Sequence, residues 1–249
     1  MKSMFAPKFA AASILLLAIS GAALRAYAQD AKVLYPKMAP IEQYLMDRNE
    51  EISLARTAAP EAISADAKVM VLTREGFQTA AEGKNGFVCF VERAWTTSFD
   101  FPEIWNPKIR GPICLNPQAA RSVFPIESKI TELRLAGNSE QQIIDKIKAA
   151  YTNHELPALE PGAMCYMMSR LAYLTDAGNH NAAHLMFYVP LNDEAEWGAR
   201  VPNSPVGSAS YWFPLPSGSA PQVEGLPILR VFTVRVPKWS DGSPDPPAK

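Results

Sequence analysis

The residues best suited to chemistry lie in the segment Cys165–Tyr188, which holds two of the three histidines in the chain. Asp176, His180 and His184 follow one another in it at intervals of four residues. Imidazole and carboxylate groups ligate zinc and also serve as general acids and bases. The pattern predicts a metal centre formed by these three side chains.

A centre of this kind would suit a metal-binding protein or a metal-assisted hydrolase, in which a bound water attacks the substrate. Ser169 and Glu92 are the nearby polar residues that could support it. The histidines also have ordinary structural uses. His184 begins an apolar run and could bond a backbone carbonyl at a strand end, and His180 could be an exposed loop residue.

Soft ligands cluster in the same segment and keep two further alternatives open. They are Met164, Met167, Met168, Met186 and Cys165. Thioether, thiolate and imidazole groups together could hold copper(I), so the cofactor would be zinc or copper. Methionine more often fills irregular gaps in a core, however. Cys165 could instead pair with His184 as a nucleophile, but its apolar neighbours favour a buried, unreactive thiol.

Aromatic side chains suggest a different function, the binding of a small molecule without catalysis. Trp95, Trp105, Tyr211 and Trp212 lie in proline-rich loops and could line a ligand groove, or else anchor those loops to the core. The motifs G-x-S-x-G, H-E-x-x-H, C-x-x-C and G-x-G-x-x-G are all absent from the sequence. Ligand binding is therefore the leading hypothesis, and a metal-dependent function is the alternative.

The N-terminus predicts export. Basic residues precede an uncharged stretch from Phe9 to Leu24, and Ala26-Tyr27-Ala28 fits a signal-peptidase site. The stretch has 16 residues, fewer than the roughly 20 that span a bilayer, so we expect no stable membrane insertion. Residues 1–28 are predicted to be cleaved, leaving a secreted or periplasmic chain. Its net charge of −4 gives no reason to bind nucleic acid.

Three cysteines in an oxidising compartment allow one disulfide. Cys89 and Cys114 are nearest in sequence and bracket a loop-rich stretch, so we expect them to pair and leave Cys165 as a thiol.

Apolar spacing predicts the elements that must position these residues. A helix is expected over 41–58, a second helical region from Asn116 to Gly137, and a third helix opened by a capping box at Ser139. Strands are expected at 69–72, 77–80, 87–91, 163–169, 184–189 and 227–236, the first three forming an antiparallel meander.

These elements predict an α+β fold in which an antiparallel sheet of about six strands has helices packed on one side. We expect a single domain over residues 29–239, followed by a disordered tail at 240–249.

Several segments resemble a set of exported bacterial proteins with no assigned activity. They are residues 84–95, 110–114, 164–169 and 184–187. The resemblance would extend over roughly residues 40–200. It implies export and one compact domain, and it assigns no functional residue.

Overall fold

The computed structural model describes residues 35–178, 182–190, 194–199, 201–207, 210–211 and 229–246. The chain from Leu34 to Lys249 forms one compact unit. The predicted signal segment lies outside the described residues, as do His180 and Trp212. Of the helices that the structure describes, none has the length and apolar character needed to cross a membrane.

Five helices and eight strands make up the described fold. The helices are α1 (Arg48–Arg56), α2 (Glu61–Ser64), α3 (Pro117–Ser122), α4 (Phe124–Leu135) and α5 (Glu140–Thr152). The strands are β1 (Lys68–Thr73), β2 (Gly76–Ala81), β3 (Val88–Glu92), β4 (Gly111–Leu115), β5 (Met164–Met167), β6 (His184–Pro190), β7 (Ser210–Tyr211) and β8 (Leu229–Arg235). Short 3₁₀ turns occur at Ile41–Gln43, Ala94–Thr96 and Glu194–Trp197.

Local capping explains where the helices begin and end. The Asn116 side chain caps α3 ahead of Pro117, and Ser139 forms the predicted capping box with Gln142. Gly137, at φ +73°, follows the end of α4. The first helix is shorter than predicted, because the Asp47 carboxylate accepts hydrogen bonds from the first free N–H groups and so starts α1 at residue 48.

The strands form one mainly antiparallel sheet in the order β2-β1-β3-β4-β5-β6-β8-β7. The α+β class is confirmed, but the predicted number of six strands was too low. No strand was predicted between residues 91 and 163, where β4 lies with all five of its residues buried. The two-residue β7 is too short to give a periodic signal.

The connection from β2 to β3 overturns the predicted meander. β3 pairs in parallel with β1 instead of turning back on β2. The chain reaches this position by crossing close over the start of β1, where a Cβ atom on Gly83 would lie 2.1 Å from the Lys68 nitrogen. The Lys84 N–H bonds the Asp66 carbonyl oxygen at 2.8 Å and holds the crossing in place. Glycine is required here for close approach of two backbone segments.

Helices cover both faces of the sheet, so the prediction that they pack on one side was wrong. Alternate residues of a strand point to opposite faces. Ala55 of α1 packs with Cys89 and Val91, whereas Phe90 between them packs with Val123 beside α4. We call these the α1 face and the α4 face. The β3 run is apolar on both sides because each side meets a helix.

The predicted disulfide is present. Cys89 and Cys114 are direct cross-strand neighbours on β3 and β4, with their Cα atoms 4.0 Å apart. Cys165 is a free, buried thiol, as expected.

The structure describes residues 240–246 of the segment that was predicted to be a disordered tail. Residues 237–245 form a small hairpin, here named the C-terminal clasp, with the Trp239 N–H bonding the Ser243 carbonyl oxygen at 2.9 Å. Trp239 packs on Met168 and Ala183 in a local apolar cluster. The Asp245 carboxylate accepts a 3.0 Å bond from the Ala183 N–H. One buried aromatic residue and one buried carboxylate thus order a segment whose composition is typical of disorder.

Candidate functional site

Asp176, the first predicted metal ligand, has a structural role in this fold. Its carboxylate accepts hydrogen bonds from the Tyr173 and Tyr35 hydroxyls and lies 3.2 Å from the Lys108 ammonium. The bonds from Tyr173, Tyr35 and Lys108 hold the pKa of Asp176 well below its usual range. The preceding residue, Thr175, donates a hydrogen bond from its hydroxyl to the Glu103 carboxylate. The loop is therefore bonded to residues 103–108.

His184 lies at the start of β6, with its Nδ1 atom 2.7 Å from the Ala182 carbonyl oxygen. Burial lowers its pKa. The Ser169 hydroxyl contacts the Thr57 hydroxyl at 2.6 Å instead of forming part of a site with His184. The described residues include no group of three His, Cys, Asp or Glu side chains placed to hold a metal ion. Since His180 lies outside them, the metal centre stays a prediction.

Trp95, one of the residues predicted to line an aromatic groove, packs inside the protein. This side chain is fully buried, its indole N–H donates to the Thr131 hydroxyl at 3.2 Å, and its ring packs 4.7 Å from that of Tyr44. Trp105 is half-buried with the Arg134 guanidinium 5.1 Å from its ring centre. Trp95 therefore anchors its loop to the core. Tyr211 lies on β7, and Trp212 is beyond the described residues.

An open pocket with polar and apolar lining is present on another part of the molecule, between α1, α2 and the C-terminal clasp. Its volume is about 350 Å³, within the range of small-molecule sites. The pocket is lined by Arg56, Thr57, Ala59, Glu61, Ser64, Ala65, Ser240 and Asp241. We call it the clasp pocket. Its two walls come from opposite ends of the folded chain.

Hydrogen bonds hold the two walls together. The Ser240 hydroxyl donates to the Thr57 carbonyl oxygen at 2.5 Å, and its N–H donates to the Met168 carbonyl oxygen at 2.9 Å. The Thr57 hydroxyl contacts Ser169 at the end of β5. The floor of the clasp pocket is therefore joined to the sheet, and its geometry depends on the clasp remaining in place.

Charges of both signs line the clasp pocket. Arg56 is half-buried, and its Nε atom is buried without an acceptor among the residues that the structure describes. Asp241 is already partnered, because Ser243 bonds its carboxylate and the Arg170 Nε lies 3.3 Å away. The bonds from Ser243 lower the pKa of Asp241. Glu61 is exposed at the rim. Arg56 is thus the cation among the residues that line the clasp pocket.

A second unusual group of polar residues lies inside the protein, on the α4 face. Glu92, the last residue of β3, is partly buried, and Glu127 on α4 is 1% exposed. Burial raises the pKa of Glu92 to about 7. The Tyr188 hydroxyl donates to the Cys165 sulfur at 3.4 Å nearby, and burial raises the pKa of both groups. Glu92, Cys165 and Tyr188 therefore hold their protons more tightly than they would in water.

Sequence reasoning named Glu92 only as polar support and missed Glu127, Arg56, Ser240 and Asp241. Glu127 could have been found from its place among the apolar residues of the α4 stripe, where a carboxylate needs a partner. Arg56 and Ser240 carry no local signal, because their proximity depends on a contact between residues 183 positions apart.

Comparison with known proteins identifies no relative. No family model matches the chain, and neither a curated protein nor a solved structure matches it significantly.

Proposed function

We propose that this is an exported protein that binds a small polar molecule in the clasp pocket. The Cys89–Cys114 disulfide supports export, since such bonds persist mainly in oxidising compartments. The observation that carries the binding proposal is Arg56, a half-buried guanidinium that lines a pocket of ligand size.

The lining chemistry suggests the class of ligand. Arg56 favours a carboxylate or phosphate, which it can bond through charge-assisted hydrogen bonds. Glu61 at the rim favours an amino group on the same molecule, while Asp241 is already partnered by Arg170. We therefore expect a small zwitterion such as an amino acid or a short peptide rather than a neutral sugar.

The test is calorimetric titration of the mature protein with a panel of amino acids, dipeptides, small dicarboxylates and neutral sugars. Binding of a zwitterion should weaken about 10- to 100-fold in Arg56→Gln, because a charged hydrogen bond contributes about 1.5–3 kcal/mol. Arg74→Gln is the matched control, since Arg74 is 62% exposed and pairs with Glu42 away from the pocket.

Equal affinity in Arg56→Gln and Arg74→Gln would contradict the assignment of the clasp pocket. Binding of neutral sugars alone, unaffected by Arg56→Gln, would contradict the proposed ligand class. Metal binding at Asp176, His180 and His184 stays a separate prediction, which elemental analysis of untagged protein and of His184→Ala would test.

A further inference from the structure

We propose that Ser64 selects the ligand of the clasp pocket through a hydrogen bond that favours amino acids with an uncharged hydroxyl or amide in the side chain over apolar amino acids of similar shape. This selectivity rests on the proposed function, since it concerns the same pocket. It adds a third point of recognition to the carboxylate site at Arg56 and the amino site at Glu61.

The Ser64 hydroxyl is a polar group without a partner in a buried residue. Ser64 ends α2, is 4% exposed and lines the clasp pocket, so the small area that it keeps open faces the pocket. Its backbone N–H donates to the Pro60 carbonyl oxygen at 3.0 Å. Its hydroxyl makes no hydrogen bond to any residue that the structure describes. A ligand that displaces water from this hydroxyl must supply a hydrogen bond in return.

The two other hydroxyl groups that line the pocket are already used. The Thr57 hydroxyl donates to the Leu54 carbonyl oxygen at 2.6 Å, and it also contacts the Ser169 hydroxyl at 2.6 Å. The Ser240 hydroxyl donates to the Thr57 carbonyl oxygen at 2.5 Å. A hydroxyl has only one proton to donate, so neither of these groups is free to donate to a ligand. Ser64 is therefore the lining hydroxyl that can both donate to a ligand and accept from it.

Helix α2 places Ser64 beside the proposed amino site. Residues three apart on a helix lie on the same side, with their Cβ atoms about 5–6 Å apart. Glu61 and Ser64 have this spacing, and both line the clasp pocket. Glu61 is exposed at the rim, whereas Ser64 is buried. An amino acid whose ammonium group lies at Glu61 can therefore place a short side chain against Ser64.

The remaining lining residues favour a side chain that is polar and uncharged. Arg56 is the cation of the lining and takes the ligand's main carboxylate, so a second carboxylate would have no counter-charge. A basic side chain would find Asp241 already paired with Arg170 at 3.3 Å. The apolar residues of the lining are Ala59 and Ala65, which offer little surface to a leucine side chain or an aromatic ring.

The experiment is calorimetric titration of the mature protein with two pairs of amino acids of similar shape, threonine with valine and asparagine with leucine. The carboxylate and the amino group are the same within each pair, so only the polar group of the side chain differs. In the wild type the polar member should bind about 3- to 10-fold more tightly than its apolar partner, the value of one neutral hydrogen bond. In Ser64→Ala the two members should bind about equally.

Ser122→Ala is the matched control. Ser122 is fully buried, its hydroxyl donates to the Gln118 carbonyl oxygen at 2.7 Å, and it is not among the residues that line the clasp pocket. This variant should keep the wild-type ratio of affinities. The ratio in the wild type is itself a test that needs no variant. Equal affinities within both pairs in the wild type, or a ratio that persists in Ser64→Ala, would overturn the role of Ser64.

Arg56→Gln separates the role of Ser64 from the proposed function. It should weaken the binding of all four amino acids alike and leave the ratios unchanged, because Arg56 bonds the carboxylate that they share. Arg56-dependent binding without a ratio would overturn the selectivity alone, as would binding of dipeptides without binding of any amino acid. Absence of binding by both amino acids and dipeptides would overturn the selectivity and the proposed function together.

Discussion

At the residue scale, the most complete polar arrangement is the buried pair of Arg93 and Glu51. Arg93 donates from Nε to the Tyr44 carbonyl oxygen at 2.9 Å and from Nη1 to the Val91 carbonyl oxygen at 2.5 Å. Glu51 also accepts the Leu72 N–H at 3.2 Å. The pair thereby joins α1 to β1 and to the end of β3. Hydrogen bonds from protein groups replace those that water would otherwise make with the two charges.

Removing one member should therefore be costly. Glu51→Ala is expected to lower the free energy of unfolding by about 3–5 kcal/mol, because it leaves a buried guanidinium without its counter-charge. The matched control is Glu160→Ala, which removes the Arg121 pair at 2.6 Å, where the side chains are 58% and 37% exposed. This surface change should cost about 1 kcal/mol or less. Urea unfolding at pH 7 measures the free energy of unfolding of both variants. Equal losses of free energy in the two variants would show that burial does not determine how much an ion pair contributes to stability.

At the element scale, the crossing over β1 depends on the absence of one side chain. In Gly83→Ala the added Cβ would lie 2.1 Å from the Lys68 nitrogen and 2.5 Å from the Ala67 carbonyl carbon, and both are backbone atoms. Backbone cannot move aside as a flexible side chain does, so the segment around residue 83 would have to move away from the start of β1.

We expect Gly83→Ala to destabilise the fold more than Gly178→Ala. The control glycine has φ +70° and open space around its Cβ position, so alanine there costs only about 1–2 kcal/mol of backbone strain. Thermal unfolding of the two variants and the wild type makes the comparison. A smaller loss of thermal stability in Gly83→Ala than in Gly178→Ala would mean that the crossing segment can shift without strain.

The same crossing shows which features the sequence could predict and which it could not. The capping box at Ser139, the Asn116 cap and the apolar run of β3 are local, so their patterns predicted the elements correctly. The Asn85-Gly86 pair also predicted a turn, and Gly86 has φ +79°. A turn signal does not say which strand receives the chain afterwards, and here β3 joined β1 instead of β2. The surroundings of Arg56 and Glu127 in the fold depend on such choices and were not predictable.

At the scale of the whole molecule, the C-terminal clasp determines whether the pocket exists. Ending the chain after Val236 would remove Trp239 from its apolar cluster and Ser240 from Thr57. We expect a loss of at least about 2 kcal/mol of stability, the value of burying one large side chain, together with loss of zwitterion binding.

A chain ending after Pro246 is the control, because it keeps every described contact of the clasp. It should match the full chain in calorimetric titration and in thermal unfolding. Full ligand affinity in the chain that ends after Val236 would show that the clasp contributes no wall to the binding site.

The joining of Ser240 to Thr57 also has a consequence for biosynthesis. Because synthesis proceeds from the N-terminus, the first wall of the pocket emerges while the second is still about 180 residues away. Occupancy of the pocket is thus a property of the finished polypeptide alone. A fragment released early, or cut by a protease before its last segment has folded back, would carry the disulfide and most of the sheet but would lack one wall of the pocket.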